Sequence, residues 1–118
     1  MKQSEIKFTI TLDEKKVPQN IEWSASDANK ESTSKAVMIS LWDAEERNTL
    51  RIDLWTRDMM VDEMKQFYHQ NLLSMADSFE RATGEVDAAK AMRHFAQEFG
   101  ERLKLVMKNP FYSPGSNK

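Results

Sequence analysis

The chain has 118 residues and a formal net charge of −2, with 40% hydrophobic and 31% charged residues. This composition is typical of one globular domain and excludes a disordered or fibrous chain. The absence of cysteine excludes disulfides, thiolate metal sites and a cysteine nucleophile. Basic residues number 9 against 11 acids in residues 1–60, and 8 against 8 in residues 61–118. Because they form no basic stripe, neither nucleic acid nor an anionic membrane surface is expected as a partner.

The hydropathy pattern along the chain predicts a cytoplasmic location. The residues after Met1 alternate in polarity and contain no unbroken apolar stretch of the roughly 7–15 residues that a secretory signal needs. No later run approaches the ~20 apolar residues of a membrane span. We therefore expect a cytoplasmic protein without an integral membrane segment.

The first half of the chain shows the period-two alternation of strands that have one apolar face. This alternation predicts strands over residues 6–12 and again around 21–24. Residues 26–35 contain almost nothing apolar, which predicts a loop. Two further apolar segments, 36–42 and 49–55, predict a hairpin around a polar turn.

The hydrophobic pattern also predicts how the two hairpin strands pair. Opposing Leu41 with Leu50 also opposes Ile39 with Ile52 and Val37 with Leu54. A slip of one residue would turn this whole set to the other side, so the match determines the parity of the pairing. We call this side the aliphatic face and expect it to be the buried one.

The second half of the chain has the period of amphipathic helices. One apolar stripe begins near Met60 and ends at Thr83-Gly84, and a second runs to Asn109-Pro110. Strands followed by helices predict an α+β fold, with a four-stranded, mainly antiparallel sheet and two antiparallel C-terminal helices packed on one face. We expect a single domain over residues 1–109 and an irregular C-terminal tail over 110–118.

No set of residues carries recognisable chemistry. His69 and His94 lie at different distances from the predicted helix break, so a shared metal or acid–base site is not expected. The chain contains no phosphate-binding glycine loop, no nucleophile elbow and no zinc-binding histidine pair. We therefore expect a non-enzymatic protein without catalytic residues, metal or cofactor.

The other side of the predicted hairpin carries an unusual set of side chains. We call it the aromatic face, and it consists of Ala36, Met38, Ser40, Trp42, Thr49, Arg51, Asp53 and Trp55. Tryptophan is enriched among interface anchors, and an apolar patch rimmed by charge commonly marks a protein contact. This pattern suggests Met38, Trp42 and Trp55 as anchors, with Arg51 and Asp53 at the rim. Cover by loop 26–35 or by the tail is the structural alternative.

Several segments together resemble one known family. They are Ile21-Glu22-Trp23-Ser24-Ala25, Ser40-Leu41-Trp42-Asp43, Arg51-Ile52-Asp53-Leu54-Trp55-Thr56, Val61-Asp62-Glu63-Met64-Lys65 and Met75-Ala76-Asp77-Ser78-Phe79-Glu80-Arg81-Ala82-Thr83. In this order and spacing, from about Ile6 to Lys108, the chain resembles the gliding-motility-associated protein GldC family. The resemblance implies a soluble protein of Bacteroidota bacteria that is connected with surface gliding and its secretion machinery. It implies no enzyme activity, cofactor or catalytic residue.

Two functions fit these observations. The leading hypothesis is an accessory protein-interaction module, whose partner is a component of the motility machinery, a second copy of the chain, or both. A sheet face suits a self-complementary two-fold interface, which makes a homodimer one form of this hypothesis. The alternative is a carrier of a small apolar ligand, with a pocket between sheet and helices.

Overall fold

The structure, a computed structural model, describes residues 2–108 and confirms the α+β class. Five antiparallel strands in two sheets precede two helices. The chain divides into two compact units, a sheet unit that ends at Met60 and a helix unit that begins at Val61. The predicted tail 110–118 lies outside the described residues, and the single domain over 1–109 stays a prediction.

The first sheet has three strands in the order β1-β2-β3. Their bounds are Ile6–Leu12 for β1, Pro18–Ala25 for β2 and Lys30–Ser34 for β3. Phe8 pairs with Trp23 and Ile10 with Ile21, so the apolar residues of β1 and β2 share one side. Ile21 has no exposed surface and is the largest fully buried side chain among the described residues.

Strand β3 lies where the sequence predicts a loop. Its residues pair with β2 from Ile21↔Ser34 to Ala25↔Lys30, and Asn29 turns the chain with a φ of 47°. The strand is held by backbone hydrogen bonds at the edge of the sheet and therefore needs no apolar residue of its own. Apolar periodicity cannot detect such a strand. The structure consequently has five strands in two sheets rather than four in one.

The second sheet is a two-stranded ribbon of β4 (Ala36–Trp42) and β5 (Thr49–Trp55). Its seven pairs run without a bulge from Ala36↔Trp55 to Trp42↔Thr49, which confirms the predicted register. Backbone hydrogen bonds extend the ladder at both ends, from Thr56 N–H to the Lys35 carbonyl (2.8 Å) and from Asp43 N–H to the Asn48 carbonyl (2.9 Å).

A single carboxylate organises the turn between β1 and β2. Asp13 accepts the N–H of Lys15 at 2.8 Å and that of Val17 at 3.0 Å on Oδ1, while Oδ2 pairs with Arg57 Nη1 at 3.2 Å. The pKa of Asp13 is lowered, chiefly by the hydrogen bond from the Val17 amide. Desolvation opposes this shift in part, while the hydrogen bond from Lys15 and the charge of Arg57 add to it. Since Arg57 follows β5, the ion pair also connects the two sheets.

The helix unit is an antiparallel hairpin of α1 (Val61–Thr83) and α2 (Val86–Arg102). Gly84, with a φ of 73°, ends α1 as predicted. The seam between the helices is built from small residues: Ala76 on α1, and Ala89, Ala96 and Gly100 on α2, are all buried. Spacings of four or seven residues place those of α2 on one side of the helix.

The end of α2 differs from the prediction. The apolar stripe predicted a helix that continues to Asn109-Pro110, but α2 ends at Arg102. Lys104 has a φ of 61°, Leu105 donates to the Gly100 carbonyl at 2.8 Å, and Lys104 donates to the Glu101 carbonyl at 3.0 Å. This pair of bonds is a Schellman motif, which satisfies the last carbonyls without a terminal glycine.

Gly100 is explained by its surroundings. A Cβ atom at this position would lie 2.7 Å from His69 Nε2 and 3.0 Å from Val106 Cγ2. His69 itself is only 8% exposed and has little room to move. A helix-weakening glycine is therefore required where α1 and the segment after α2 approach α2 most closely.

We predict that Gly100→Ala lowers the free energy of unfolding by up to about 2 kcal/mol. Overpacking costs roughly 1–3 kcal/mol, which exceeds the gain of about 1 kcal/mol in helix propensity. Urea unfolding measures the effect. In a His69→Ala background the clash with the ring is absent and only the 3.0 Å approach to Val106 Cγ2 remains, so the same substitution should destabilise the protein much less. Equal destabilisation in both backgrounds would contradict the steric explanation.

We also predict that Asp13→Asn destabilises the protein at neutral pH and that this difference shrinks in acid. Because the folded pKa of Asp13 lies below its unfolded value of about 3.9, ionisation favours folding above that value. The contribution is lost as the pH falls through the folded pKa. Urea unfolding between pH 7 and 3 tests this, with Glu14→Gln as a control that removes a charge from the same turn. A difference independent of pH would refute the assignment.

Candidate protein-interaction face

The ribbon positions every side chain of the predicted interaction site on one side. The register opposes Trp42 with Thr49, Met38 with Asp53 and Ala36 with Trp55. Since cross-strand partners share a face and alternate residues do so along a strand, Met38, Trp42, Arg51, Asp53 and Trp55 all lie on the aromatic face. The structure therefore places the five predicted residues on one face of the ribbon.

The two tryptophans lie at opposite ends of this face. Trp42 is next to the turn and Trp55 is next to the strand start at Ala36, six residue steps or roughly 20 Å apart along the ribbon. Their exposed fractions are 67% and 53%, respectively, and Met38 between them is half-buried. The tryptophans are thus two separate exposed apolar side chains rather than one stacked cluster.

A polar cluster occupies the centre of the aromatic face. Arg51 donates to both carboxylate oxygens of Asp53, with Nη2 at 2.7 Å from Oδ1 and Nε at 3.3 Å from Oδ2. Its Nη1 donates to Ser40 Oγ across the ribbon at 2.9 Å. Arg51 and Asp53, which are predicted at the rim of an interface, occupy the middle of β5 between the levels of the two tryptophans.

Ser40 is a member of this cluster that the sequence pattern did not single out. The predicted register already places it opposite Arg51, and this cross-strand position is the signal that could have identified it. By accepting from Arg51, the serine hydroxyl holds the guanidinium in one orientation.

The aliphatic face is more exposed than its apolar character predicts. The exposed fractions of Leu41, Leu50 and Ile52 are 56%, 50% and 49%, respectively. A ribbon of two strands gives each side chain one cross-strand neighbour and leaves its outer flank open. Exposure therefore does not distinguish the two faces of the ribbon. They differ in chemistry, since one is uniformly aliphatic and the other combines tryptophan, methionine and an organised ion pair.

The three-stranded sheet carries a different kind of surface. Trp23 lies apart from the aromatic face and has Lys30 Nζ 5.7 Å from its ring centroid, in a cation–π contact. A shallow concavity of about 350 Å³ lies on this sheet. Most of its lining is polar: Lys7, Thr9, Glu22, Ser24, Glu31, Ser32 and Thr33. This lining does not match an apolar ligand.

The two histidines lie at different levels of the helical hairpin. His69 faces Gly100, whereas His94 precedes Gly100 by six residues, or about 9 Å along α2. Within residues 2–108, no group of three or more acidic or histidine side chains is arranged to hold a metal ion. In the same part of the chain, no helix combines the length and the apolar character needed to cross a bilayer.

Comparison with known proteins identifies the family. The family model described as "Gliding motility-associated protein GldC-like" matches residues 18–105, from the first residue of β2 to just beyond α2. Neither curated proteins nor solved structures gave a significant match. The matched segment covers well over half of the chain and contains both strands of the ribbon. The protein therefore belongs to the family of gliding motility-associated GldC-like proteins.

Proposed function

We propose that this protein is a non-enzymatic interaction module that supports the gliding and secretion machinery by docking a protein partner on its aromatic face. The observation that carries this proposal is the exposure of Trp42 and Trp55 at the two ends of an ordered ribbon. Family membership supports the connection with gliding motility. A cytoplasmic location is part of the proposal and can be tested by cell fractionation.

The chemistry of the aromatic face favours a protein as its partner. Tryptophan buries a large area on binding and has only two rotatable side-chain bonds, so it loses little conformational entropy. The central charges are already paired at 2.7 Å, which lowers the penalty for removing them from water compared with isolated ions. A partner that places apolar pockets over Trp42 and Trp55 would bury the two most apolar parts of this face.

We predict that Trp42→Ala combined with Trp55→Ala abolishes partner recovery in a crosslinked affinity purification from native cells. Hot-spot truncations each cost about 2 kcal/mol or more, so recovery of gliding or secretion components should fall more than about tenfold. The readout is the identity and amount of each crosslinked protein, measured by mass spectrometry. Circular dichroism verifies that the variant remains folded.

The chain offers a matched control for this experiment. Leu41 and Leu50 lie on the same two strands and have exposures of 56% and 50%, but they point to the aliphatic face. The double variant Leu41→Ala and Leu50→Ala should recover the same components as the unmodified protein. Equal loss in both double variants would indicate general destabilisation of the ribbon. Unchanged recovery in the tryptophan variant would refute the aromatic face as the docking surface.

A further inference from the structure

The outer edge of β5 has the properties of a strand that pairs with another chain. Within the part of the chain that the structure describes, β5 pairs with β4 alone. The strand contains no proline, lysine or bulge over its seven residues, and these are three of the devices with which proteins prevent edge-to-edge pairing. It does carry two charged residues of opposite sign, Arg51 and Asp53. Side chains on both of its faces are exposed, including Ile52 (49%) and Trp55 (53%).

The hydrogen bonds at the ends of the ribbon determine which amides point outward. Thr56 donates to Lys35, and Asp43 donates to Asn48. Hydrogen-bonded and non-hydrogen-bonded pairs alternate in an antiparallel ladder, so the even-numbered residues of β5 direct their N–H and C=O groups toward β4. The odd-numbered residues, Arg51 and Asp53 among them, direct theirs toward the outer edge.

The sequence of β5 allows the strand to pair with a second, antiparallel copy of itself that is centred on Ile52. If a second copy of β5 runs antiparallel with Ile52 opposite Ile52, then Arg51 opposes Asp53 of the second copy, and Asp53 opposes its Arg51. On the aliphatic face, Leu50 opposes Leu54 of the second copy. In this same register, Arg51 and Asp53 form hydrogen-bonded pairs with the second copy through the outward groups. Side-chain charge, apolar contact and backbone parity therefore agree on one register.

We propose that two copies of this chain associate through the outer edges of β5 to form a continuous four-stranded sheet in the order β4-β5-β5-β4. The Arg51–Asp53 ion pair within each copy, 2.7 Å long, is then exchanged for a pair between the copies, so that two pairs within strands become two equivalent pairs across the new interface. The aromatic faces of both copies join into one surface. This association goes beyond the proposed function, because it does not depend on whether that surface binds another protein.

The other strand edges fit such a pairing less well. For β4, the corresponding two-fold centre at Ile39 opposes Met38 with Ser40 of the second copy and brings no opposite charges together. Strand β1 has an irregular register at Thr11/Leu12. Strand β3 has five residues and carries its two charged residues, Lys30 and Glu31, together at one end. Among the described strands, β5 alone combines length, regularity and charge complementarity with itself.

Charge reversal tests the proposed register. Light scattering after size-exclusion chromatography should give the unmodified chain twice the monomer mass of 13.7 kDa. In Arg51→Asp, the introduced carboxylate opposes the native Asp53 of the second copy. In Asp53→Arg, the introduced guanidinium opposes the native Arg51 of the second copy. Like charges directly opposite each other destabilise a sheet, so each variant alone should raise the dimer dissociation constant by about tenfold or more.

Mixing the two variants provides the decisive result. A heterodimer of Arg51→Asp with Asp53→Arg opposes unlike charges at both positions, although each strand still carries two like charges of its own. We expect the mixture to dimerise more tightly than either variant alone. Recovery cannot arise from repair within one chain. A monomeric unmodified protein, or a mixture no more dimeric than its components, would overturn the proposal.

A cysteine crosslink tests the same register without changing charge. The chain has no cysteine, so a single substitution can form a disulfide only between copies. Ile52 would lie on the two-fold axis in a non-hydrogen-bonded pair, with a Cα separation of about 4.5 Å that permits a disulfide. Ile52→Cys should therefore crosslink under mild oxidation. Leu41→Cys, at similar exposure on β4, should form no disulfide crosslink and run as a monomer on denaturing gels without reducing agent. Crosslinking equal to that of Ile52→Cys would refute the register.

A separate readout distinguishes this proposal from the proposed function. Trp42 lies on β4 and does not contact the outer edge of β5 in the proposed dimer. Trp42→Ala should therefore leave the dimer mass unchanged. The same variant should weaken the capture of motility components. Loss of dimers in the charge variants with normal capture would support the edge association alone. Dimers that persist in both charge variants at the unmodified affinity would refute it, whatever the capture experiment shows.

Discussion

The cross-strand register of the β4–β5 ribbon is the constraint on which both proposed interaction surfaces depend. Seven consecutive pairs without a bulge assign every residue of both strands to a face, and they also determine which backbone groups point to the outer edge. The register is held at both ends. Asp43 organises the turn by accepting the N–H of Glu46 on its side chain at 2.7 Å, and the hydrogen bond between Thr56 and Lys35 closes the opposite end. A shift of one residue would exchange the aromatic and aliphatic faces and would separate Arg51 from Ser40.

The helix unit depends on a different constraint, the close approach of two helices through small side chains. Ala76, Ala89 and Ala96 are fully buried, and Gly100 leaves room for the ring of His69. Arg93 joins the helices beside this seam, with hydrogen bonds of 2.8 Å to Asp77 and Glu80 that raise its pKa, the bond to Asp77 contributing most. With small residues in the seam, several large side chains of the apolar stripes keep substantial exposure, Met75 at 51% and Phe95 at 55% among them. Close packing of the two backbones therefore does not require burial of the large side chains in this hairpin.

The Arg51–Asp53 pair links the two proposals through one physical property. Both charges lie on the same strand and the same face, so they neutralise each other within a monomer, organise Ser40, and leave a polar centre between two apolar ends. The same spacing of two residues makes the strand complementary to a reversed copy of itself. An aromatic face of one ribbon offers two tryptophans to a partner, whereas joined ribbons offer four on a surface twice as wide. Family membership connects this chain with gliding motility, and the ribbon supplies a physical surface through which such a connection could act.

The α+β class, the hairpin register and the end of the first helix could all be predicted from the sequence, because each follows from a local period, a hydrophobic match or a glycine at a turn. The same holds for the shared face of Met38, Trp42, Arg51, Asp53 and Trp55, since alternation and register suffice to place them together. Other features became apparent only in the folded chain. Strand β3 has no apolar pattern because backbone pairing alone holds it, and the end of α2 at Arg102 depends on Lys104 adopting a left-handed conformation that its residue type does not favour. The need for Gly100 arises from contacts with residues of other elements, which periodicity cannot reveal. The predicted register already places Ser40 opposite Arg51, and only the hydrogen bonds among Arg51, Asp53 and Ser40 required the folded chain.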